Sequence, residues 1–363
     1  MDLAEHAPAM KIPRHTLRPF QRDALTALQS PGHVICVAAT GSGKSLIYEK
    51  QAALPGQRTL LITPLIALAR QQARRLEALG LNVSTGAGAT AESQVWIWSP
   101  EKLTDPFQAN LQKLRRWSPT FLVVDECHCV WEWGAGFRPA FSKLPEWVNL
   151  LDVPRSLWLT ATLPTECRRD LKSRLPNPQH DVGDFSLPAG LHIKTLQVPW
   201  LDRSHALLRW TELNHEPGII FTATRAGAER VARLLKASRS GVIVYHAGLS
   251  PEERQGLEAL IEKGKADIVV ATTAFGMGMD HARFRWVALW QAPTSLLTLT
   301  QMIGRVGRAG SKAKALLLWD WEDFRLLEWS QGEHAKKNAD LPRLARFLSQ
   351  PQKQSEILHE YFH

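Results

Sequence analysis

A chain of 363 residues exceeds one compact core of ordinary size, so two domains are expected. Its 44% apolar and 22% charged residues are those of a soluble globular protein, and 44 basic against 35 acidic residues (formal charge +9) favour an anionic partner without proving one. No apolar run is long enough to span a bilayer, the first residues lack a signal-peptide pattern, and four cysteines at 36, 127, 129 and 167 do not make a secreted disulfide scaffold. The expectation is a cytoplasmic protein with reduced thiols, nucleoid-associated if bacterial, with no membrane partner.

From Val34 onward, short apolar runs alternate with helix-compatible segments: Val34–Val37, Leu60–Ile62, Val95–Trp98, Phe121–Val124 and Leu157–Leu159. Runs of that length, separated by helical patterns, predict buried parallel strands in an α/β fold. Between them, Leu65 to Leu79 carries Leu65, Leu68, Ala69, Leu76 and Leu79 on one face and Arg70, Arg74 and Arg75 elsewhere, which predicts an amphipathic helix capped by Gly80. Pro176, Pro178 and Pro188 interrupt the pattern. A second alternating series runs through Gly218–Phe221, Val242–Val244, Ile268–Val270, Trp286–Leu289 and Ala315–Leu318. Residues 1–184 are expected to form the first domain, 185–199 a linker, 200–325 the second domain and 326–363 a helical tail. Most of the 14 tryptophans are read as lying in apolar strand or helix patterns, such as Val95–Trp98 and Trp286–Trp290, where core packing is expected.

Two segments carry phosphate chemistry. Ala38-Ala39-Thr40-Gly41-Ser42-Gly43-Lys44-Ser45 comes after a predicted strand and precedes a helix, as a P-loop must. Thr40 to Gly43 would offer backbone amides to phosphate oxygens, Lys44 would neutralise the β and γ phosphates, and Ser45 would place its hydroxyl on Mg²⁺. Asp125-Glu126 would stand at the C-terminal end of the Phe121–Val124 strand, where α/β folds bind ligands. There Asp125 would hold Mg²⁺ and Glu126 would orient and deprotonate the attacking water. Cys127-His128-Cys129 invites a zinc reading, but two further ligands at workable spacing are lacking and no zinc is expected.

The stretch Asp125-Glu126-Cys127-His128, running into Trp133-Gly134-Ala135-Gly136-Phe137-Arg138-Pro139, resembles the Asp-Glu-Ala-His box and aromatic-rich loop of the RecQ family of superfamily 2 DNA helicases. The resemblance extends along most of the chain and implies a fold of two tandem RecA-like domains, each a mainly parallel sheet flanked by helices. It also implies roles for particular residues. Leu17-Arg18-Pro19-Phe20-Gln21 resembles the adenine-recognition motif, with Gln21 on the base edge and Arg18 over its face, although Arg14 stands where an aromatic is usual. Thr63-Pro64, Ser99-Pro100 and Thr160-Ala161-Thr162 resemble motifs Ia, Ib and III; Thr63, Pro64 and Ser99 would contact the DNA backbone. Arg225, His246, Gly248 and Thr272, in motifs IV to V, would hold the second half of the DNA track, and Asp280 would lie near the ribose. Gln301, Arg305 and Arg308 belong to the segment resembling motif VI, whose arginines stabilise charge on the transferring phosphoryl group. Trp133 and Phe137 have the chemistry to stack on bases and Arg138 to reach a phosphate or the nucleotide.

The implied activity is ATP- and Mg²⁺-dependent movement 3′ to 5′ on single-stranded DNA with unwinding of tailed duplexes, by a monomer. An RNA-remodelling ATPase and an ATP-gated DNA clamp or scaffold stand as alternatives. Family members usually continue into a four-cysteine zinc module and a winged helix, whereas this sequence reaches His363 with no cysteine after Cys167. It reads either as the core of something longer or as a minimal relative.

Overall fold

The computed structural model describes residues 16–86, 90–132, 138–273, 275, 283–307, 311–331 and 340–363. It divides into two compact units: the described residues through Ala38 with Ser42–Phe185, and Ser186–His363 with Ala39–Gly41.

In the first unit, seven described strands form one sheet: β1 (Gly32–Val37), β2 (Thr59–Ile62), β3 (Val83–Thr85), β4 (Val95–Trp98), β5 (Phe121–Asp125), β6 (Arg155–Thr160) and β7 (Gln179–Val182). Their order is β3-β4-β2-β5-β6-β1-β7, and all the pairings are parallel. The helices are α1 (Pro19–Ala27), α2 (Ser45–Ala52), α3 (Ile66–Ala78), α4 (Pro100–Thr104), α5 (Phe107–Trp117), α6 (Cys129–Glu132), α7 (Glu146–Leu150) and α8 (Thr165–Arg174).

The unbroken apolar runs of the sequence are explained by burial on both faces of the sheet. Side chains alternate across a strand, so Ile35 and Val37 of β1 join one core with Trp96, Trp98 and Trp158, while Val34 and Cys36 join the other with Val95, Ile97 and Leu157. Trp96 stacks on Trp117 of α5 with ring centroids 4.1 Å apart and planes 3° from parallel. Such a pair adds about 0.5–1.5 kcal/mol beyond the area it buries. These tryptophans are core residues, as their strand pattern predicts.

The second unit holds β8 (Leu191–Gln197), β9 (Gly218–Phe221), β10 (Val242–Tyr245), β11 (Ile268–Ala271), β12 (Trp286–Leu289) and β13 (Ala313–Trp319), again parallel, in the order β10-β11-β9-β12-β13-β8. Its helices are α9 (Arg203–Leu213), α10 (Arg225–Lys236), α11 (Pro251–Glu262), α12 (Leu296–Ile303) and α13 (Trp321–Gln331), and then Asp340–Ser349 and Gln354–Phe362. The chain is thus α/β, with two parallel sheets flanked by helices in tandem RecA-like fashion and a helical C-terminal stretch.

One expectation is corrected. The segment 185–199, read as linker, contains β8, which pairs with β13 along its whole length. As an edge strand it alternates between half-buried and exposed positions, and its flanking Pro188 and Gly190 hide that alternation in the sequence. The short β3 and the polar β7, also edge strands, were not anticipated for the same reason: neither buries enough to need an apolar run.

Candidate nucleotide and nucleic-acid sites

The loop between β1 and α2 is shaped by two glycines. Gly41 (φ +74°) and Gly43 (φ +84°) occupy the left-handed region that side chains disfavour, and a Cβ on Gly43 would lie 3.0 Å from Gln21 Nε2. Lys44 Nζ donates to the Ala38 carbonyl at 2.7 Å, and Ser42 Oγ is buried without a hydrogen-bond partner. A buried hydroxyl in that state costs stability unless a ligand meets it, and a phosphate oxygen has the right chemistry. Gln21, buried at the start of α1, donates from Nε2 to the Gly43 carbonyl (2.8 Å) and accepts from the Arg18 amide (2.9 Å). The adenine motif and the P-loop are therefore tied together, and the Gln21 amide keeps one proton and one lone pair to offer.

At the end of β5, Asp125 Oδ2 accepts from Gln72 Nε2 at 2.6 Å and Oδ1 accepts from the Glu126 amide at 3.0 Å. Burial first, and the negative charge of Glu126 second, push the Asp125 carboxyl well above the usual range; Lys44 and the two hydrogen bonds act the other way. A divalent cation would reverse that balance, and the donors present, a carboxylate and the Ser45 hydroxyl, are the oxygen ligands Mg²⁺ prefers. Glu126 itself adopts a left-handed backbone (φ +52°), a conformation costing a non-glycine residue about 1–3 kcal/mol that recurs at functional turns. Gln72 was not anticipated, yet it had a signal: it is a buried polar residue on the α3 face that carries Leu68 and Leu76.

Behind Glu126, His128 is buried. Its Nδ1 is 2.8 Å from Thr160 Oγ1 and 3.4 Å from Glu126 Oε2. Thr160 Oγ1 donates to the Thr162 carbonyl and accepts from the Thr162 amide, so motif III is locked to the acidic motif through this histidine.

Of the residues expected on DNA in the first unit, Thr63 Oγ1 is buried without a hydrogen-bond partner just after β2, and Ser99 precedes α4 in an extended backbone, its side chain making no cap hydrogen bond. Arg138 clamps Glu101 through Nε (2.5 Å) and Nη2 (2.9 Å), donates from Nη1 to the Pro64 carbonyl (2.8 Å), and lies over the Phe141 ring at 4.5 Å. Burial opposes ionisation of Glu101, but hydrogen bonds from Arg138, from its own backbone and from Ser99, with the Arg138 charge, outweigh it and hold the carboxyl below its usual range. Arg138 thereby joins motifs Ia and Ib, a role the sequence did not suggest.

In the second unit, a Cβ on Gly248 would lie 3.0 Å from Arg225 Nη1, so two of the expected DNA residues are neighbours. His246 Nε2 is 3.5 Å from Glu229, while its buried Nδ1 has no hydrogen-bond partner. Thr272 is buried after β11, its amide donating to the Tyr245 carbonyl at 3.3 Å. Gln301 lies in α12 and Arg305 just beyond it, both half-buried. Trp133, Phe137, Asp280 and Arg308 lie outside the described residues.

Residues 18–170 match the DEAD/DEAH box helicase family and residues 202–310 match the helicase conserved C-terminal domain, which defines the class: a two-part helicase core. Among curated relatives, the ATP-dependent DNA helicase RecQ of Bacillus subtilis is 29% identical over 336 residues, covering 86% of this chain and 56% of the relative. The probable ATP-dependent DNA helicase RecS of the same organism is 30% identical over 325 residues, covering 85% and 65%. Within the class, the chain is similar to the helicase core of RecQ-type enzymes, and it spans between about half and two thirds of the length of these relatives. Among solved structures, the helicase MrfA bound to DNA and AMPPNP superposes with a TM-score of 0.68 at 20% identity, covering 89% of this chain and 51% of that one. Mycobacterium smegmatis Lhr bound to single-stranded DNA and AMP-PNP gives 0.64 at 25% identity, covering 83% and 45%. Among the described residues no helix is long and apolar enough to cross a membrane.

Proposed function

We propose that this chain is the ATP-hydrolysing motor of a DNA helicase that moves 3′ to 5′ on single-stranded DNA. The observation that carries the reading is the convergence of Lys44, Asp125, Glu126 and the partnerless Ser42 hydroxyl at the strand ends of one sheet. Bound Mg²⁺, held by Asp125 and Ser45, would supply charge neutralisation at the phosphates. The protein's own groups do the rest. Gln72 fixes the Asp125 rotamer, Lys44 exchanges the Ala38 carbonyl for a phosphate oxygen, and Glu126 takes the proton of the attacking water. Arg305 and Arg308 are proposed to offset charge on the transferring phosphoryl group.

His128, between Glu126 and Thr160, is the proposed relay by which motif III senses hydrolysis. Thr63, Ser99, Arg225, His246, Gly248 and Thr272 are proposed to hold the strand by its phosphates, with Arg138 positioning two of those segments rather than binding DNA itself. Titration of the ATPase with single-stranded DNA and, separately, with RNA tests the reading. A strong rise with DNA and a weaker one with RNA is expected; an unchanged rate, or a preference for RNA, would overturn it.

A further inference from the structure

We infer that His128, Cys129 and Glu132 form a binding site for a thiophilic divalent cation of the zinc class. The three residues occupy the turn after β5 and the single turn of α6, where the i, i+3 and i, i+4 spacings bring side chains to one face. Their ligand atoms all lie within 4.8 Å of one another. His128 Nε2 is 3.5 Å from Cys129 Sγ and 3.5 Å from Glu132 Oε2. Zinc held tetrahedrally by sulfur, imidazole nitrogen and carboxylate oxygen at its ordinary bond lengths separates neighbouring ligand atoms by about 3.3–3.6 Å. Two of the three edges of that arrangement are already present.

One tautomer of the imidazole suits the site. With the Thr160 hydroxyl proton on the Thr162 carbonyl, the contact at Nδ1 takes its proton from the ring. For the neutral ring, Nε2 is then a lone pair aimed at Cys129 and Glu132. A second group that fixes a histidine's tautomer and orientation from its far nitrogen is what metal-binding histidines require. No zinc is expected from the sequence because Cys127-His128-Cys129 lacks two further ligands at workable spacing; the structure leaves Cys127 out of the group and brings in Glu132. Cys129 is buried, so its sulfur sits away from solvent beside His128. Three protein ligands leave a fourth position for water. The cation would staple a four-residue helix that is too short to be stable by its own hydrogen bonds. None of this depends on the motor reading.

Cobalt(II) titrated into the metal-free full chain tests it. The expected result is one equivalent bound with a thiolate-to-cobalt charge-transfer band, displaced by Zn²⁺ and not by excess Mg²⁺, with a Zn²⁺-dependent rise in melting temperature. Cys129→Ser should remove the band, Glu132→Gln should weaken binding at least about tenfold, and Cys127→Ser should leave both intact. Should Cys129→Ser fail to fold, the Glu132→Gln and Cys127→Ser arms still decide. Absence of the band in the folded native chain, its survival in Cys129→Ser, or its loss in Cys127→Ser alone would overturn the assignment.

Discussion

Glu126, the proposed base, also turns its backbone left-handed to carry the chain from β5 into α6. Glu126→Gln retains the turn and removes only the basicity, so steady-state ATP turnover should fall by about two to four orders of magnitude while nucleotide binding and the melting temperature stay near native values. A second prediction concerns pH. His33, buried on β1 beside Ser156 Oγ at 2.8 Å, has its pKa lowered from 6.5 by burial. Because the folded form resists protonation, its contribution to stability is complete above 6.5 and is lost as pH falls through the lowered folded value. The urea midpoint of the chain should therefore drop as pH falls below 6.5, and His33→Gln should flatten that drop. At this scale the sequence is informative where chemistry is local: Lys44, Asp125 and Glu126 are proposed from spacing and context alone. The partners of Asp125 and Arg138, Gln72 and Glu101, are 53 and 37 residues away in the chain, and no local pattern pairs them.

Among elements, β9 and β12 show how a single glycine sets packing. Gly218 lies opposite Trp286 in the register, and a Cβ there would sit 2.0 Å from the indole. Gly218→Ala should cost about 1–3 kcal/mol by overpacking, read as a lower unfolding midpoint of the second unit. The same unit contains a buried pair. Arg203 donates to both oxygens of Asp323 (3.0 and 2.9 Å) and to the Val198 and Trp290 carbonyls, and Asp323 also accepts from the Ala292 and Asp320 amides. Removing one partner strands the other charge in the core, so Asp323→Ala should destabilise by about 3–5 kcal/mol in chemical denaturation. Buried strands such as Val95–Trp98 and Gly218–Phe221 were readable to the residue because burial on both faces demands continuous apolar sequence. Edge strands were not: β8 and β7 are partly solvated, and their identity comes from the neighbour they pair with.

At the scale of the whole molecule, two parallel sheets repeat one architecture, and the proposed roles divide between them: phosphate and cation groups in the first, Arg225, His246, Gly248, Thr272 and the motif VI residues in the second. A net charge of +9 suits a polyanionic track, and phosphate contacts to a single strand predict affinity that falls with salt with a slope of about −0.7 per phosphate neutralised. The central claim is that hydrolysis drives directed movement on DNA. Strand separation measured by fluorescence on 3′-tailed and 5′-tailed duplexes, with ATP and Mg²⁺, tests it most directly. Unwinding of the 3′-tailed substrate alone, abolished by Lys44→Ala, is the expected result; ATP hydrolysis without separation of either duplex, or unwinding from the 5′ tail, would contradict it.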